Sequence, residues 1–437
     1  MRVLWVCNLI LPEIAAALGL PSIPKEGWVA GLLDGILSCP EAERPEMAIA
    51  FPVGADMDGR SGEVFLTAHP DIPLRYFCFY EDTTHPEIYS DACSASIGRI
   101  LASYKPDVVH CFGTEYPHAL ALARVIDAPE KLLFSIQGPI SVYAERYMSQ
   151  LPPKVQNSRT FRDIIKRDSL LQQQEKFRLR GQMELEAVAG AGHIAGRTEF
   201  DRMLTVSWNP DANYHHAGES LRSPFYEGTY NASKAHPHRI FVSQADYPIK
   251  GFHYLLLAAS RLIKDYPDLE IRCSGQSIIG YDTLKEKLKI SAYGRYLRQL
   301  IKDHNLENCV RILGRLNATR MKEEYLSSAL YVCCSSCENS PNSLGEAMIL
   351  GVPCVAARVG GIPSVFDEDD GFLYQNEPAD SLEDVASALE QAIRAAFSDP
   401  AEARRRAGNA VRHAASNHDR EQNTAAILEI YRQMVRG

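Results

Sequence analysis

The chain has 437 residues, of which 46% are hydrophobic and 23% charged, and its formal net charge is -9. This acidic balance argues against a nucleic-acid-binding protein, which would normally carry a basic domain. No apolar run reaches the ~18 residues of a membrane-spanning helix. A chain of this length is too long to fold around a single hydrophobic core, so we expect two domains.

The N-terminal residues have the composition of a strand rather than a signal peptide. One arginine is followed by apolar residues, and no small-residue cleavage site precedes Pro12. The 11 cysteines are odd in number and lie mostly in apolar runs, which is typical of reduced thiols. Cys334 and Cys337 have redox-motif spacing, but we favour structural thiols there. We therefore expect a cytoplasmic protein.

Short predicted strands alternate with helical stretches in two series. The first series lies at 2–7, 47–53, 74–79, 108–112, 132–136 and 193–196. The second lies at 239–243, 270–274, 310–313, 330–334 and 354–357. Such alternation predicts parallel sheets, and two series predict two doubly wound α/β domains. The irregular segment 209–238 ends in the predicted hinge, near 232–238, and two helices are predicted at 401–418 and 421–435.

Residues 145–180 form a polar, basic interval. A solvated helical face explains it most simply. A contact with an anionic membrane surface, or with a lipid-diphosphate acceptor, is the alternative, and the sequence leaves both open.

The segment 333–365 places two glutamates around a small-residue turn. Glu338 and Glu346 flank Ser340 to Ser343, between a predicted strand and the helix predicted to follow it. A loop that feeds a helix N-terminus offers unpaired amides and the positive end of the helix dipole, which suits a phosphate. Carboxylates on either side can accept hydrogen bonds from hydroxyls. The pattern therefore predicts a site for a nucleotide-sugar, in which a diphosphate lies between two diols.

This segment resembles the C-terminal domain of family-4 glycosyltransferases (glycosyl transferases group 1), retaining enzymes of the GT-B fold. By that resemblance Glu338 would contact the donor sugar and Glu346 the ribose hydroxyls. The amides of Asn342, Ser343 and Leu344 would hold the diphosphate. A local alternative stays open, because Ser343 and Glu346 also fit a capping box in which Glu346 only closes its own helix.

The resemblance also assigns two cations to the donor diphosphate. Lys250, followed by Gly251, fits the second half of the family's Gly-Arg-x-x-x-x-Lys-Gly run, whereas the Arg position falls near Ala245. We therefore expect Lys250 to compensate most of the charge of the leaving diphosphate. Arg315 stands where the family often contacts the nucleobase, and it either supplies the missing charge or is structural.

In the N-terminal domain the resemblance is weaker. Gly27, in the predicted turn 25–28, would approach the reacting sugar closely or form a plain turn. Gln137 stands where many relatives have a histidine that contacts the donor sugar, and an amide cannot titrate near neutral pH. If the leaving phosphate takes the acceptor proton, as is thought for retaining enzymes of this fold, Gln137 need only orient the sugar. For His110 and His118 a structural role is the default.

The resemblance thus implies a metal-independent, retaining glycosyltransferase with two doubly wound Rossmann-like domains facing a central cleft. Residues 1–235 would bind the acceptor, residues 236–415 the nucleotide-sugar, and residues 416–437 would form a helix that crosses back to the N-terminal domain.

The implied partners are a nucleotide-diphosphate sugar, which is a co-substrate rather than a cofactor, and a saccharide or lipid-linked acceptor. The implied role is synthesis of a bacterial surface polysaccharide or glycoconjugate, in the cytoplasm or at the inner membrane face. A same-fold nucleotide-sugar epimerase and a non-catalytic nucleotide-sugar-binding protein remain as alternatives.

Overall fold

The computed structural model describes residues 1–20, 27–276, 278–280, 283 and 287–436, and these form two compact units. The first unit comprises Met1–Val142, Lys176–Arg222 and the segment from His418 onward. The second comprises Tyr143–Glu175 and Ser223–Asn417.

The strands, in chain order, are β1 Arg2–Val6, β2 Glu46–Val53, β3 Ser61–Leu66, β4 His69–Tyr80, β5 Val108–Phe112, β6 Leu132–Ser135, β7 His193–Gly196, β8 Asn213–His216, β9 His236–Val242, β10 Glu270–Cys273, β11 Val310–Ile312, β12 Ser328–Cys333, β13 Cys354–Ala357 and β14 Phe372–Tyr374. Every predicted strand overlaps an observed one, whereas β3, β8 and β14 were not predicted.

The helices are α1 Pro12–Leu18, α2 Gly27–Leu37, α3 Asp91–Tyr104, α4 Pro117–Val125, α5 Ile140–Arg146, α6 Pro153–Gln156, α7 Phe161–Lys166, α8 Leu170–Ala189, α9 Glu199–Trp208, α10 Phe252–Leu262, α11 Ala292–Asp303, α12 Ala318–Ser327, α13 Asn342–Ile349, α14 Leu382–Ser398, α15 Pro400–Asn417 and α16 Arg420–Arg436.

The sheet of the first unit has the order β3-β4-β2-β1-β5-β6-β7-β8, and all its pairs are parallel except β3 with β4. Both faces of this sheet are covered. Val3 and Trp5 belong to one hydrophobic core, whereas Leu4 and Val6 belong to the other. Because successive side chains of a strand point to opposite faces, a strand buried on both sides is apolar throughout.

The last helix, α16, packs into the core of the first unit through Tyr431. The indole Nε1 of Trp5 donates a hydrogen bond to the Tyr431 hydroxyl at 2.8 Å. The same hydroxyl lies 2.6 Å from Nδ1 of His110, which is fully buried. The C-terminal residues of the chain therefore complete the core of the N-terminal unit.

The sheet of the second unit has the order β11-β10-β9-β12-β13-β14, and all its pairs are parallel. The chain builds outward from β9 to β10 and β11, and then returns to the other side of β9 with β12. The carboxyl ends of β9 and β12 therefore flank the topological switch point, where ligands of open α/β sheets bind.

The unit boundary differs from the predicted boundary at 235/236. The chain passes into the second unit at Ser223, and Tyr143–Glu175 also belongs to the second unit. Two buried contacts explain the second difference. Nε2 of His253 lies 2.8 Å from the carbonyl oxygen of Ser149, and the carboxylate of Asp163 accepts a hydrogen bond from the amide of Ala292 at 3.0 Å.

Candidate functional site

Lys250 and Glu338 lie at the switch point of the second sheet, in the loops that follow β9 and β12. Nζ of Lys250 donates a hydrogen bond to Oε1 of Glu338 at 2.6 Å, and Oγ of Ser335 donates to the same oxygen at 2.7 Å. The lysine side chain is 23% exposed and the glutamate side chain 10%. Burial alone would lower the pKa of Lys250, but the Glu338 carboxylate raises it above its ordinary value. The lysine is therefore charged.

Backbone geometry holds the two loops together. A short 3₁₀ turn, Pro248–Lys250, ends at Gly251, whose φ of 68° is left-handed. A Cβ at Gly251 would overlap the carbonyl oxygen of Cys334. The amide of Ser336 donates a hydrogen bond to the carbonyl of Ile249 at 2.8 Å. Only glycine allows this close approach without strain, so Gly251 positions the lysine beside its glutamate.

Glu346 lies in the second turn of α13, because the helix begins at Asn342. Its N-cap is Pro341, which makes no side-chain capping bond, so the capping box between Ser343 and Glu346 is not formed. Glu346 is 2% exposed, and the Tyr325 hydroxyl donates to its Oε2 at 3.4 Å. The alternative in which Glu346 only closes its own helix is therefore wrong.

The first turn of α13 contains three more of the predicted donor-binding residues. The amide of Leu344 already donates to the Pro341 carbonyl at 2.9 Å, whereas helical geometry leaves the amides of Asn342 and Ser343 without partners in the helix. Oγ of Ser343 accepts a hydrogen bond from the Tyr331 hydroxyl at 2.8 Å. Oδ1 of Asn342 is buried and has no hydrogen-bond partner among the described residues. This helix end can therefore donate to an anion.

Two further residues were predicted to bind the donor, Arg315 and Gly27. Arg315 is exposed and follows the outer strand β11, two strands from β9. Gly27 begins α2. Residues 25 and 26 of the predicted glycine turn lie outside the described residues.

Gln137 lines a narrow pocket at the carboxyl ends of strands in the first unit. The pocket is lined in part by Trp28, Phe112, Ser135, Arg197, Glu219 and Ser220. Nη2 of Arg197 donates to Oε1 of Gln137 at 3.4 Å, and Nη1 of Arg197 lies 2.7 Å from Oε2 of Glu219.

Sequence reasoning missed both charged residues of this pocket. Arg197 directly follows the predicted strand 193–196, and the carboxyl ends of neighbouring parallel strands share one edge of the sheet. That position could have identified Arg197. Glu219 falls in a segment without periodicity and gave no such signal.

His110 and His118 are structural. His110 is fully buried between the Tyr431 and Ser135 hydroxyls, and burial lowers its pKa to about 3, so it is neutral. Nδ1 of His118 lies 3.0 Å from the carboxylate of Glu81, and both side chains are buried.

Cys334 and Cys337 are free, buried thiols. Burial raises the pKa of Cys337 to about 12 and that of Cys334 still higher. A catalytic dithiol needs an accessible thiolate, so this environment favours a structural role.

Within the described residues, Asp367, Asp370 and His413 form a group with ligand atoms close enough to share a metal ion. Nδ1 of His413 lies 2.6 Å from Oδ2 of Asp370. The direct contact explains the cluster as an ion pair.

None of the described helices is both long and apolar enough to cross a membrane.

Comparisons with known proteins point to one family. Residues 231–414 match the model described as "Glycosyl transferases group 1". The D-inositol 3-phosphate glycosyltransferase of Corynebacterium urealyticum is 27% identical over 190 residues, which are 43% of this chain and 41% of that protein. The amylovoran biosynthesis glycosyltransferase AmsK of Erwinia amylovora is 29% identical over 126 residues, 27% of this chain and 29% of the relative. The aligned regions thus span less than half of these relatives.

Solved structures resemble the whole chain. Sucrose-phosphate synthase from Thermosynechococcus elongatus has a TM-score of 0.70 at 15% identity and covers 99% of each chain. Anabaena HepE in complex with UDP-glucose has a TM-score of 0.62 at 16% identity, over 98% of this chain and 100% of HepE. At these identities the likeness shows the fold, and it confirms the predicted GT-B class of two doubly wound α/β domains. Residues 231–414 of this chain are therefore a domain of the glycosyl transferases group 1 family.

Proposed function

We propose that this protein is a retaining, metal-independent glycosyltransferase that moves a sugar from a nucleotide-diphosphate donor to a saccharide or lipid-linked acceptor. One observation carries the proposal. The Lys250–Glu338 pair, joined at 2.6 Å, lies at the switch point of the second sheet, in the loops beside α13. A fixed cation near an uncapped helix N-terminus suits the diphosphate of a nucleotide-sugar.

The donor nucleotide would bind around the start of α13. The amides of Asn342 and Ser343 would donate to the diphosphate, and Glu346 would accept hydrogen bonds from the ribose hydroxyls. Glu346 also accepts from the Tyr325 hydroxyl at 3.4 Å, and an ionised carboxylate has several acceptor sites.

Lys250 would stabilise the leaving group. Negative charge grows on the diphosphate as the glycosidic bond breaks, and a cation already in place stabilises that charge without reorganisation. Glu338 keeps the ammonium charged and fixed, and its carboxylate could also accept a hydrogen bond from a donor-sugar hydroxyl. The missing arginine near Ala245 makes Lys250 the principal cation of this proposal.

Gln137 would orient the reacting sugar. A guanidinium only donates hydrogen bonds, so the amide atom facing Arg197 is the oxygen, and the amide nitrogen of Gln137 is left to donate to a sugar oxygen. Arg197 and Glu219 are then positioning residues. Because an amide cannot take a proton near neutral pH, the leaving phosphate would take the acceptor proton.

The test is incubation with UDP-, GDP- and ADP-sugars, with and without saccharide and lipid acceptors, while free nucleotide is measured. UDP-glucose comes first because HepE, a protein of similar fold, was solved with it. Acceptor-dependent nucleotide release supports transfer. Release with an epimerised sugar and no acceptor would show an epimerase, and binding without turnover would show a non-catalytic protein.

The proposed function includes a pathway for the transferred sugar. AmsK is named for amylovoran biosynthesis, and we assign this chain to the synthesis of a bacterial surface polysaccharide or glycoconjugate.

A further inference from the structure

The short helix α7 presents its apolar side chains to solvent. Phe161, Ile164 and Ile165 are 60%, 62% and 64% exposed. They are spaced at i, i+3 and i+4, so they share one face of the helix. Leu171, at the start of α8, is 41% exposed and follows closely in the chain. Large side chains scattered singly on a surface are ordinary, but a stripe of this kind marks an interaction surface.

The polar side of α7 is the side that the protein buries. Thr160 and Asp163 form a capping box at its N-terminus. Asp163 is 1% exposed, and its carboxylate also accepts a hydrogen bond from the amide of Ala292, the first residue of α11, at 3.0 Å. This arrangement reverses the usual amphipathic packing, in which the apolar face is inside. The buried aspartate therefore fixes the helix with its apolar stripe facing outward.

Exposed cations flank the apolar stripe along the chain. Arg159 precedes it, Lys166 and Arg167 follow it, and all three are exposed. Asp168, the acid next to Arg167, is already paired with Arg162 at 2.9 Å. Apolar side chains flanked by lysine and arginine match the interface of an anionic bilayer, in which acyl chains lie beneath negatively charged headgroups.

We propose that α7 and the cations around it dock this protein on an anionic lipid surface. The name "α7 surface" here means Phe161, Ile164 and Ile165 together with Arg159, Lys166 and Arg167. The apolar residues would enter the headgroup region while the cations contact lipid phosphates. This property is separate from nucleotide binding and from sugar transfer.

The first test is flotation of the full-length protein with vesicles. Phosphatidylcholine vesicles with about a third phosphatidylglycerol should bind the protein, and pure phosphatidylcholine vesicles or added salt should weaken binding. Replacing Phe161, Ile164 and Ile165 together with serine should lower the partition coefficient about tenfold or more. Lys166→Glu with Arg167→Glu should lower it about fivefold or more for each charge.

A matched control is available on α9, where Met203 and Val206 are 59% and 48% exposed. Met203→Ser with Val206→Ser removes exposed apolar surface elsewhere and should leave vesicle binding unchanged. Circular dichroism and nucleoside-diphosphate binding without vesicles should stay as in the wild type for every variant. If the wild type binds no nucleoside diphosphate, that result counts against the transferase proposal but leaves the proposal of membrane docking unaffected.

Three results would overturn the proposal. The first is absence of binding to anionic vesicles. The second is equal binding of the wild type and the triple serine variant. The third is a wild-type dimer that becomes a monomer in the triple serine variant, because a second copy of the chain would then cover the α7 surface.

Discussion

A lysine with most of its side chain buried beside one glutamate keeps its positive charge and a fixed position. The pKa of Lys250 is raised because the Glu338 carboxylate, at 2.6 Å, outweighs the effect of burial. The sequence identified both residues through the family resemblance but gave them separate roles. Their direct contact joins residues 88 positions apart, and no local pattern encodes such a contact.

We expect Lys250→Ala to lower turnover by ~100-fold or more, the order seen when one transition-state donor is lost. Steady-state kinetics with the best nucleotide-sugar of the panel measures this. Lys302 is an exposed lysine on α11. The control is Lys302→Ala, which should leave turnover unchanged. A loss of less than tenfold would transfer the role to another cation, for which Arg315 is the first candidate. Melting temperatures must accompany the rates, because the variant leaves Glu338 without its cation.

We expect Glu346→Gln to keep the fold and to weaken nucleoside-diphosphate binding by ~1–3 kcal/mol, the range for a hydrogen bond to a charged group. Titration calorimetry gives the value. Glu323→Gln, on the exposed face of α12, provides the matched control. Identical affinities for the wild type and Glu346→Gln would remove Glu346 from the nucleotide site.

At the scale of elements, the strands that build the two sheet centres were predictable because their residues are apolar on both faces. The missed strands lack that signal. β8 lies at an edge of its sheet and has no buried residue, and β14 has only three residues. The N-cap of α13 also differs from the sequence pattern. Ser343 and Glu346 have the spacing of a capping box, but the cap in the structure is Pro341.

The turn between β9 and α10 gives a prediction about stability. Gly251→Ala should destabilise the protein by at least ~2 kcal/mol for two reasons. The alanine would have to adopt the left-handed conformation, and its Cβ would overlap the carbonyl oxygen of Cys334. Chemical denaturation measures the change. Gly98→Ala in α3 is the contrast, since its Cβ would meet no atom within 4 Å, and it should be neutral or stabilising by up to ~1 kcal/mol. Equal stability of Gly251→Ala and the wild type would refute the close approach.

The ion pair between α15 and the loop before β14 predicts a pH dependence. The hydrogen bond to Asp370 raises the pKa of His413 above its ordinary value. Because the folded state then holds the proton more tightly, the pair contributes full stability below about pH 6.5, the ordinary histidine value. That contribution is lost as the pH rises through the raised pKa of the folded state.

Unfolding free energies of the wild type and His413→Gln should therefore differ more at about pH 5.5 than at about pH 9. His216→Gln, at an exposed histidine, is the matched control. If the difference in unfolding free energy between the wild type and His413→Gln grew as the pH rose, the His413–Asp370 ion pair could not be its cause.

At the scale of the whole molecule, the fold class followed from two series of alternating strands and helices, but the limits of the units did not. Tyr143–Glu175 belongs to the second unit through buried contacts such as that of His253 with Ser149. The polar pocket that joins Gln137, Arg197 and Glu219 likewise depends on contacts between distant segments. Periodicity reports which face of an element is buried, not which distant element buries it.

We propose that the chain transfers a sugar from a nucleotide-sugar with retention of its anomeric configuration. The most direct measurement follows one reaction by proton NMR, with the active donor and acceptor from the panel, and counts nucleotide released against sugar transferred. We expect equal amounts of nucleotide and glycoside, an anomeric configuration unchanged from the donor, and loss of both products in Lys250→Ala. Inversion at the anomeric carbon, or nucleotide release without glycoside, would contradict it.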